Sequence, residues 1–267
     1  PRIAINCDPP FKKTGSNGKQ MLTMCMGLGC NAVGVTGCRI MPTKKQQRIS
    51  AVTNSLIPCN GRFPTLILLS TIMLGKFSNS FTVSLVLTAF IVISVLITLV
   101  ATWSLNKLLY GENVSCKIEL PHYKRPPVFK ILTDSFFDKT LRILGRAMLV
   151  SAPAGVILWL MQNITISGAS LLTVCADFLN PIGNLLCMDG VILLSFILGS
   201  PANEIVLPIA ASLYNLSAPS LIEVFTLAGW DFFTALSISL FTLFHWPCST
   251  TLLTIRKETK SFKDSTS

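Results

Sequence analysis

Apolar residues in this chain gather into long runs, and basic residues collect between them. The clearest run, Phe81 to Leu105, contains no charge over 25 residues. As a helix it would extend about 37 Å, enough to cross a hydrocarbon core of about 30 Å. Trp103 and Tyr110 at its end suit a membrane interface. Leu141–Gln162 predicts a second span, entered at Arg142 and Arg146, and Asp231–Ile255 predicts a third. Phe63–Leu74 is a shorter apolar stretch. Two further runs are interrupted. Residues 21–38 carry four glycines, and Gly190–Tyr214 is broken by Gly199-Ser-Pro-Ala-Asn-Glu204, which is turn chemistry. Irregular backbone at membrane depth is tolerated where it is packed in protein or lines a cavity. Residues 1–20 read as a polar loop or interfacial segment, and 169–188 as an element apolar on one face.

The predicted fold class is therefore all-α: a polytopic α-helical membrane protein with broken or re-entrant helices. Composition agrees, with 51% hydrophobic and 13% charged residues, against roughly a quarter charged in soluble domains. The net charge of +10 could suggest nucleic acid. The basic residues lie in loops between apolar runs, however, so no nucleic-acid partner is expected. The basic loops at 39–48, 106–142 and 256–263 predict a common cytoplasmic side. Parity then favours a re-entrant hairpin at 190–214, turning at Gly199–Glu204; the alternative is that 169–188 also crosses. The chain begins at Pro1 with no initiator Met and no apolar leader, and reads as part of a longer protein.

Two halves echo one another, which predicts an internal two-fold repeat. The broken elements Gly27-Leu-Gly-Cys-Asn-Ala-Val33 and Ile197-Leu-Gly-Ser-Pro-Ala-Asn-Glu204 are each followed by a Pro-Cys pair, at Pro58-Cys59 and Pro247-Cys248. Paired interrupted segments point to a transporter's substrate site. The domains expected are a first half over 1–105, a basic linker over 106–140, a second half over 141–256 and a basic tail over 257–267.

A proline inside a membrane helix frees a carbonyl of the preceding turn, and a neighbouring cysteine adds a polarizable ligand. Cys30, Cys59 and Cys248 sit at such breaks, and thiolate softness suits Fe(II), Cu(I) or Zn(II) over Mg or Ca. Asn31, Asn60 and Asn203 offer amide oxygens. The remaining six of the nine cysteines read as packing residues, as do Met21, Met24 and Met26. Glu204 is an ionisable group inside an apolar element, able to hold a cation or a proton; it could equally be a helix-start carboxylate favoured by the dipole. Arg62 either neutralises a carboxylate or ends a helix. His245 could join a path. No P-loop, H-E-x-x-H or G-x-S-x-G motif occurs, so no enzyme is predicted.

Gly18-Lys-Gln20, Met26-Gly-Leu-Gly-Cys-Asn31, Arg39 and Pro58-Cys-Asn-Gly-Arg-Phe-Pro64 together resemble the first gate region of the ferrous iron transporter B family, FeoB. Gly199–Val206 is similar to its second gate, and Pro247-Cys248 with Ile255-Arg-Lys-Glu-Thr259 to its closing stretch. The Asn-Gly-Arg and Pro-Ala-Asn-Glu forms resemble the clostridial-type branch. The resemblance implies Fe(II) uptake across a bacterial inner membrane along a path lined by Cys30, Cys59 and Cys248. Asn31, Asn60, Asn203, Glu204 and Arg62 would support it. It also implies a GTP-binding portion, absent from this sequence, so GTP is not expected to bind here. Small accessory proteins of the same system and the lipid bilayer are the expected partners, and a homo-oligomer is left open. Two rivals remain: a permease for nucleosides or other solutes with related gate elements, and a non-transporting membrane scaffold.

Overall fold

A computed structural model describes residues 2–6, 8–75, 79–109, 141–166, 169–214 and 220–260, with isolated positions between 127 and 137. The linker expected over 106–140 and the end of the basic tail fall almost wholly outside the described residues. What is described is helical apart from a two-residue antiparallel ladder, Thr165–Ile166 with Ala169–Ser170. Three helical segments, Lys44–Leu74, Ser80–Leu108 and Phe232–Glu258, are long and apolar enough to cross a membrane. The chain is a polytopic α-helical protein with broken helices, as the hydropathy pattern predicts.

The helices in order are α1 (Arg2–Asn6), α2 (Asp8–Lys13), α3 (Lys19–Gly29), α4 (Asn31–Gly37), α5 (Lys44–Thr53), α6 (Phe63–Leu74), α7 (Ser80–Leu108) and α8 (Leu141–Asn163). After the ladder come α9 (Leu171–Leu185), α10 (Gly190–Leu198), α11 (Val206–Tyr214), α12 (Leu221–Leu227), α13 (Phe232–Phe244) and α14 (Ser249–Lys260). Two differences from the sequence reading stand out. Residues 1–20 are not a plain loop: α1 and α2 form, and Phe11, Asn17 and Gln20 are buried. Asp8 organises this stretch by accepting the Gly18 N–H at 2.8 Å and pairing with Lys12 at 2.9 Å. The basic stretch after Thr43 is not a loop either. Thr43 caps α5 by accepting the Gln46 N–H, and Lys, Gln and Arg are good helix formers once a cap is supplied.

The chain divides into two compact units, neither following sequence order. One takes Pro1–Cys59, Ser94–Leu149 and Thr250–Ser267; the other takes Asn60–Ile93 and Val150–Ser249. In the first, Phe11, Met24 and Ile57 form an apolar cluster, and Val35, Cys38 and Ala51 form another. Ser94, Thr98 and Thr102 are buried on α7, whereas Leu96 and Val100 on the same helix are exposed. That is inside-out for water and natural for a bilayer, where small hydroxyl residues pack helices and aliphatics meet lipid. In the second unit the core joins Leu69, Ile192, Phe196, Phe225 and Ile238. Tyr214 there donates to Asp189 at 3.0 Å and accepts from Trp230 Nε1 at 3.2 Å.

The interrupted elements are broken as expected. Cys30, between α3 and α4, has φ −152° and ψ 122°. Ala202, just before the 3₁₀ turn Asn203–Ile205 that leads into α11, has φ −149° and ψ 119°. Cys30 alone separates α3 from α4, whereas α10 ends at Leu198 and the turn 199–201 comes before Ala202; the two breaks share an extended residue followed by an asparagine. A further bend of 108° separates α9 from α10. There Cys187 adopts φ 52° and the Met188 N–H reaches back to Gly183 O at 2.9 Å, a left-handed closure that glycine usually provides. Replacing Cys187 by Gly relieves that conformation, and we expect Cys187→Gly to raise stability by about 1 kcal/mol. Thermal unfolding of the detergent-solubilised chain measures it; a lower midpoint would mean the thiol makes packing contacts that outweigh the strain.

Candidate functional site

The residues singled out by sequence fall into two groups. Cys30, Asn31 and Cys59 belong to the first unit; Asn60, Arg62, Asn203, Glu204 and Cys248 belong to the second. Each of the three cysteines lies at a break in the helices. Cys30 is the extended residue between α3 and α4. Cys59 follows Pro58 in the gap between the 3₁₀ turns Asn54–Leu56 and Asn60–Arg62, and is buried. Cys248 follows Pro247 between α13 and α14 and is half-buried.

In the first unit, the break at Cys30 is organised by Asn54. Its Nδ2 donates to Asn31 O at 3.4 Å. The amide lies so close to α3 and α4 that a Cβ on Gly27 would meet its Oδ1 at 2.8 Å, and one on Gly34 its Nδ2 at 2.2 Å. Two of the four glycines of the broken element are thus room for one buried side chain. Across the break the ladder keeps Cys30 N–H to Met26 O and resumes with Gly34 N–H to Cys30 O, both 3.0 Å.

In the second unit, the two turns named by sequence meet. Asn203 is buried and Glu204 is exposed in the first turn leading to α11. A Cβ on Gly61 would lie 3.1 Å from Glu204 Cγ and 3.3 Å from its Oε1, so a larger residue there would need the exposed Glu204 side chain to shift by a few tenths of an ångström. The start of α14 docks on the α10 break: Ser249 donates to Ser200 O through its N–H at 2.8 Å and its hydroxyl at 3.1 Å. Arg62 is fully buried. Its guanidinium donates to the carbonyls of Leu243 (3.1 Å), His245 (3.2 Å) and Trp246 (3.4 Å). These carbonyls lie at and just beyond the end of α13, before Pro247. His245 turns Nδ1 onto the carbonyls of Phe241 (3.1 Å) and Thr242 (3.0 Å). With acceptors on that side, Nδ1 carries the proton.

Sequence reasoning missed one pairing. Arg39 grips Glu258 through two hydrogen bonds of 2.9 and 2.6 Å across 219 residues. Glu258, with 8% of its side chain exposed, is the more buried partner, and its hydrogen bond and charge hold the Arg39 guanidinium above its ordinary pKa. Both residues stand in motifs the sequence had singled out, but nothing local says that they meet. Among the described residues no group of three or more His, Cys, Asp or Glu side chains is placed to share a metal.

With this geometry in hand, the chain can be set against known proteins. Residues 144–262 match the Gate family, described as nucleoside recognition. Over 275 aligned residues the chain is 26% identical to the Fe(2+) transporter FeoB of Staphylococcus aureus strain COL, covering 98% of this chain and 40% of that protein. It is 23% identical over 272 residues to the Fe(2+) transporter FeoB of Methanocaldococcus jannaschii, covering 96% of this chain and 40% of that protein. A Porphyromonas gingivalis Fe(2+) transport protein A/Fe(2+) transporter FeoB fusion protein is 24% identical over 162 residues, 60% of this chain and 18% of that protein. The chain thus spans about 40% of the length of the first two relatives. No solved structure matches.

Arg62→Ala leaves three carbonyls without their donor in a buried setting, and we expect a loss of about 3 kcal/mol. Arg62→Lys should recover less than half, since an ammonium cannot fan across three carbonyls. Unfolding midpoints of the three proteins test this, and full rescue by Lys would refute the fan. Glu258→Gln, whose partner guanidinium is largely exposed, should cost no more than about 1 kcal/mol. Raising salt should shrink the difference between Glu258→Gln and wild type in the same assay.

Proposed function

We propose that this chain is the membrane portion of a ferrous iron permease of the FeoB type, in a bacterial inner membrane. The observation that carries this reading is the conjunction of two facts. Relatives named Fe(2+) transporter align along 98% and 96% of the chain, and the chain breaks its helices at each of Cys30, Cys59 and Cys248. Soft sulfur beside unwound backbone suits a late first-row cation in passage. A carrier must also release what it binds, so single thiolates in succession serve transport better than a closed cage.

In this reading Asn31, Asn60, Asn203 and Glu204 supply oxygens near the breaks, Glu204 holding a cation or a proton, and Arg62 fixes the end of α13. Fe(II) is cargo. A GTP-binding portion and small accessory proteins act on this chain as partners; the fusion relative, whose name joins transport protein A to FeoB, favours such an accessory. Placement in the clostridial-type branch, a homo-oligomeric state and a two-fold relation between the halves belong to the same proposal. The matching backbone at Cys30 and Ala202 favours the last. A second reading, a permease for nucleoside-like solutes, is favoured by the description of the family matched by residues 144–262.

Anaerobic Fe(II) titration of the purified chain against the Cys30/Cys59/Cys248→Ser triple variant tests the leading reading. We expect saturable binding in the first and its loss in the second. Equal binding by both would sink the cysteine path, and saturable uridine binding without Fe(II) binding would install the second reading instead.

A further inference from the structure

We propose that α9 lies in the plane of the membrane at the lipid–water boundary, its exposed apolar ridge among the acyl chains beneath the headgroups, and that α10 descends from it into the bilayer. The proposal rests on the membrane placement of the chain and not on the solute that it carries.

At about 3.6 residues per turn, the side chains of α9 sort into three stripes. Leu172, Ala176 and Gly183 are buried, and Leu172 and Ala176 cluster with Leu194 of α10, with Met161 of α8 packed against them. Thr173, Asp177, Asn180 and Asn184 make a second stripe that is polar along the whole helix, with Asp177 and Asn184 exposed. Val174, Phe178, Ile182 and Leu185 make the third, an apolar ridge in which Phe178 is 79% and Leu185 83% exposed. The roll of the helix is fixed. Asn180 Oδ1 accepts the Gly190 N–H at 2.8 Å, and Gly190 lies so near Ala176 O that a Cβ there would strike it. Rotation of α9 therefore does not hide the ridge.

The two exposed stripes require different surroundings. Asp177 sits midway along a helix of 15 residues, so an upright α9 would hold its carboxylate in hydrocarbon, which is costly. Pro181 lacks the N–H that would have reached the Asp177 carbonyl, a second group at that point that water can serve. Upright, α9 would cover only about 22 Å, short of a hydrocarbon core of about 30 Å. Flat in the interface, the ridge meets acyl chains and the polar stripe meets water along its full length. The depth at which α9 begins agrees. The Leu171 N–H donates to Ile164 O at 2.9 Å, just past the end of α8, where Trp159 is exposed as suits the headgroup level.

The bend of 108° between α9 and α10 then sets α10 close to the membrane normal. α10 is apolar apart from Ser195, so it runs into the bilayer and not into water. Its nine residues rise about 13 Å, near half the hydrocarbon thickness. That carries the Gly199–Glu204 turn toward the midplane, the depth at which transporters bind their substrates.

Nitroxide labels on the chain in phosphatidylethanolamine–phosphatidylglycerol vesicles test this. The labels sit at Val174→Cys, Phe178→Cys, Ile182→Cys and Leu185→Cys, each made in a background without native cysteines that keeps its helical circular dichroism. Collision with oxygen and with a water-soluble nickel chelate reads their depth. We expect all four at one common depth, about 5–10 Å into the headgroup–acyl boundary, and a label at Asp177→Cys within reach of the chelate. A label at Ile197→Cys should lie about 10 Å or more below that at Phe178→Cys. Depths spread over about 16 Å from position 174 to 185 would mean that α9 crosses. Shielding of the ridge from both collision partners would mean that protein covers it. Either result overturns the proposal, as does a label at position 197 no deeper than the ridge. A label at Leu96→Cys on α7 separates the two readings: outside lipid, it refutes the membrane placement itself; deep in lipid without a shallow ridge, it refutes the α9 proposal alone. Phe178→Trp, made with the native cysteines in place, serves if the cysteine-free chain does not fold. Its added emission should be quenched more by lipids labelled near the headgroup than by lipids labelled near the chain end, and the reverse order would overturn the proposal.

Discussion

The fully buried guanidinium of Arg62 binds carbonyls at and just beyond the end of α13, and it answers a constraint that recurs through the molecule. A helix broken where little water reaches strands donors and acceptors that the apolar surroundings cannot satisfy. Each break is therefore tied by a specific device. Ser249 binds Ser200 O twice where α14 begins. Asn54 Nδ2 donates to Asn31 O beside the α3–α4 break, a tertiary tie and not a cap for the first amides of α4. Remove the devices and the breaks become unaffordable, so the irregular backbone that makes a pathway conceivable rests on a few polar side chains.

Those devices also divide the chemistry of the breaks. Arg62 gives hydrogen bonds from both terminal nitrogens to three carbonyls around the end of α13, and that break serves as a fixed frame. At Asn54 and Gln20 the amide nitrogens are hydrogen-bonded while the amide oxygens are buried without a partner. The cysteines offer a different, softer ligand at neighbouring points of the chain. Hard oxygen and soft sulfur both stand at the breaks, and the proposed iron path uses the sulfur.

Much of this was legible along the chain. The uninterrupted spans, the breaks near Cys30 and Gly199–Glu204, and the Pro-Cys pairs are local features, written in hydropathy, glycine and proline. The helices of residues 1–20 and the helical start of Lys44–Leu74 were less so, because their order depends on Asp8 and Thr43 finding backbone amides, not on apolar periodicity. Arg39 and Glu258 were each visible as motif residues, yet their contact joins positions 219 residues apart. Asn54 escaped notice altogether, being one polar residue in a mildly apolar stretch. Its signal was indirect: glycines at 27 and 34 in an apolar element, waiting for something to fill the space.

By itself the amino-acid sequence determined the element type, the lengths of the apolar helices and the places where they must break. Each follows from side-chain transfer to apolar surroundings and from backbone limits that act within a few residues. The tertiary structure alone decided which polar groups meet at the breaks: Arg62 beyond the end of α13, Ser249 at the α10 break, Asn54 beside Asn31. It also decided which oxygens were left without a partner. A hydrogen bond is set by distance and direction in space, and residues far apart in the chain come within its reach only once the helices have packed.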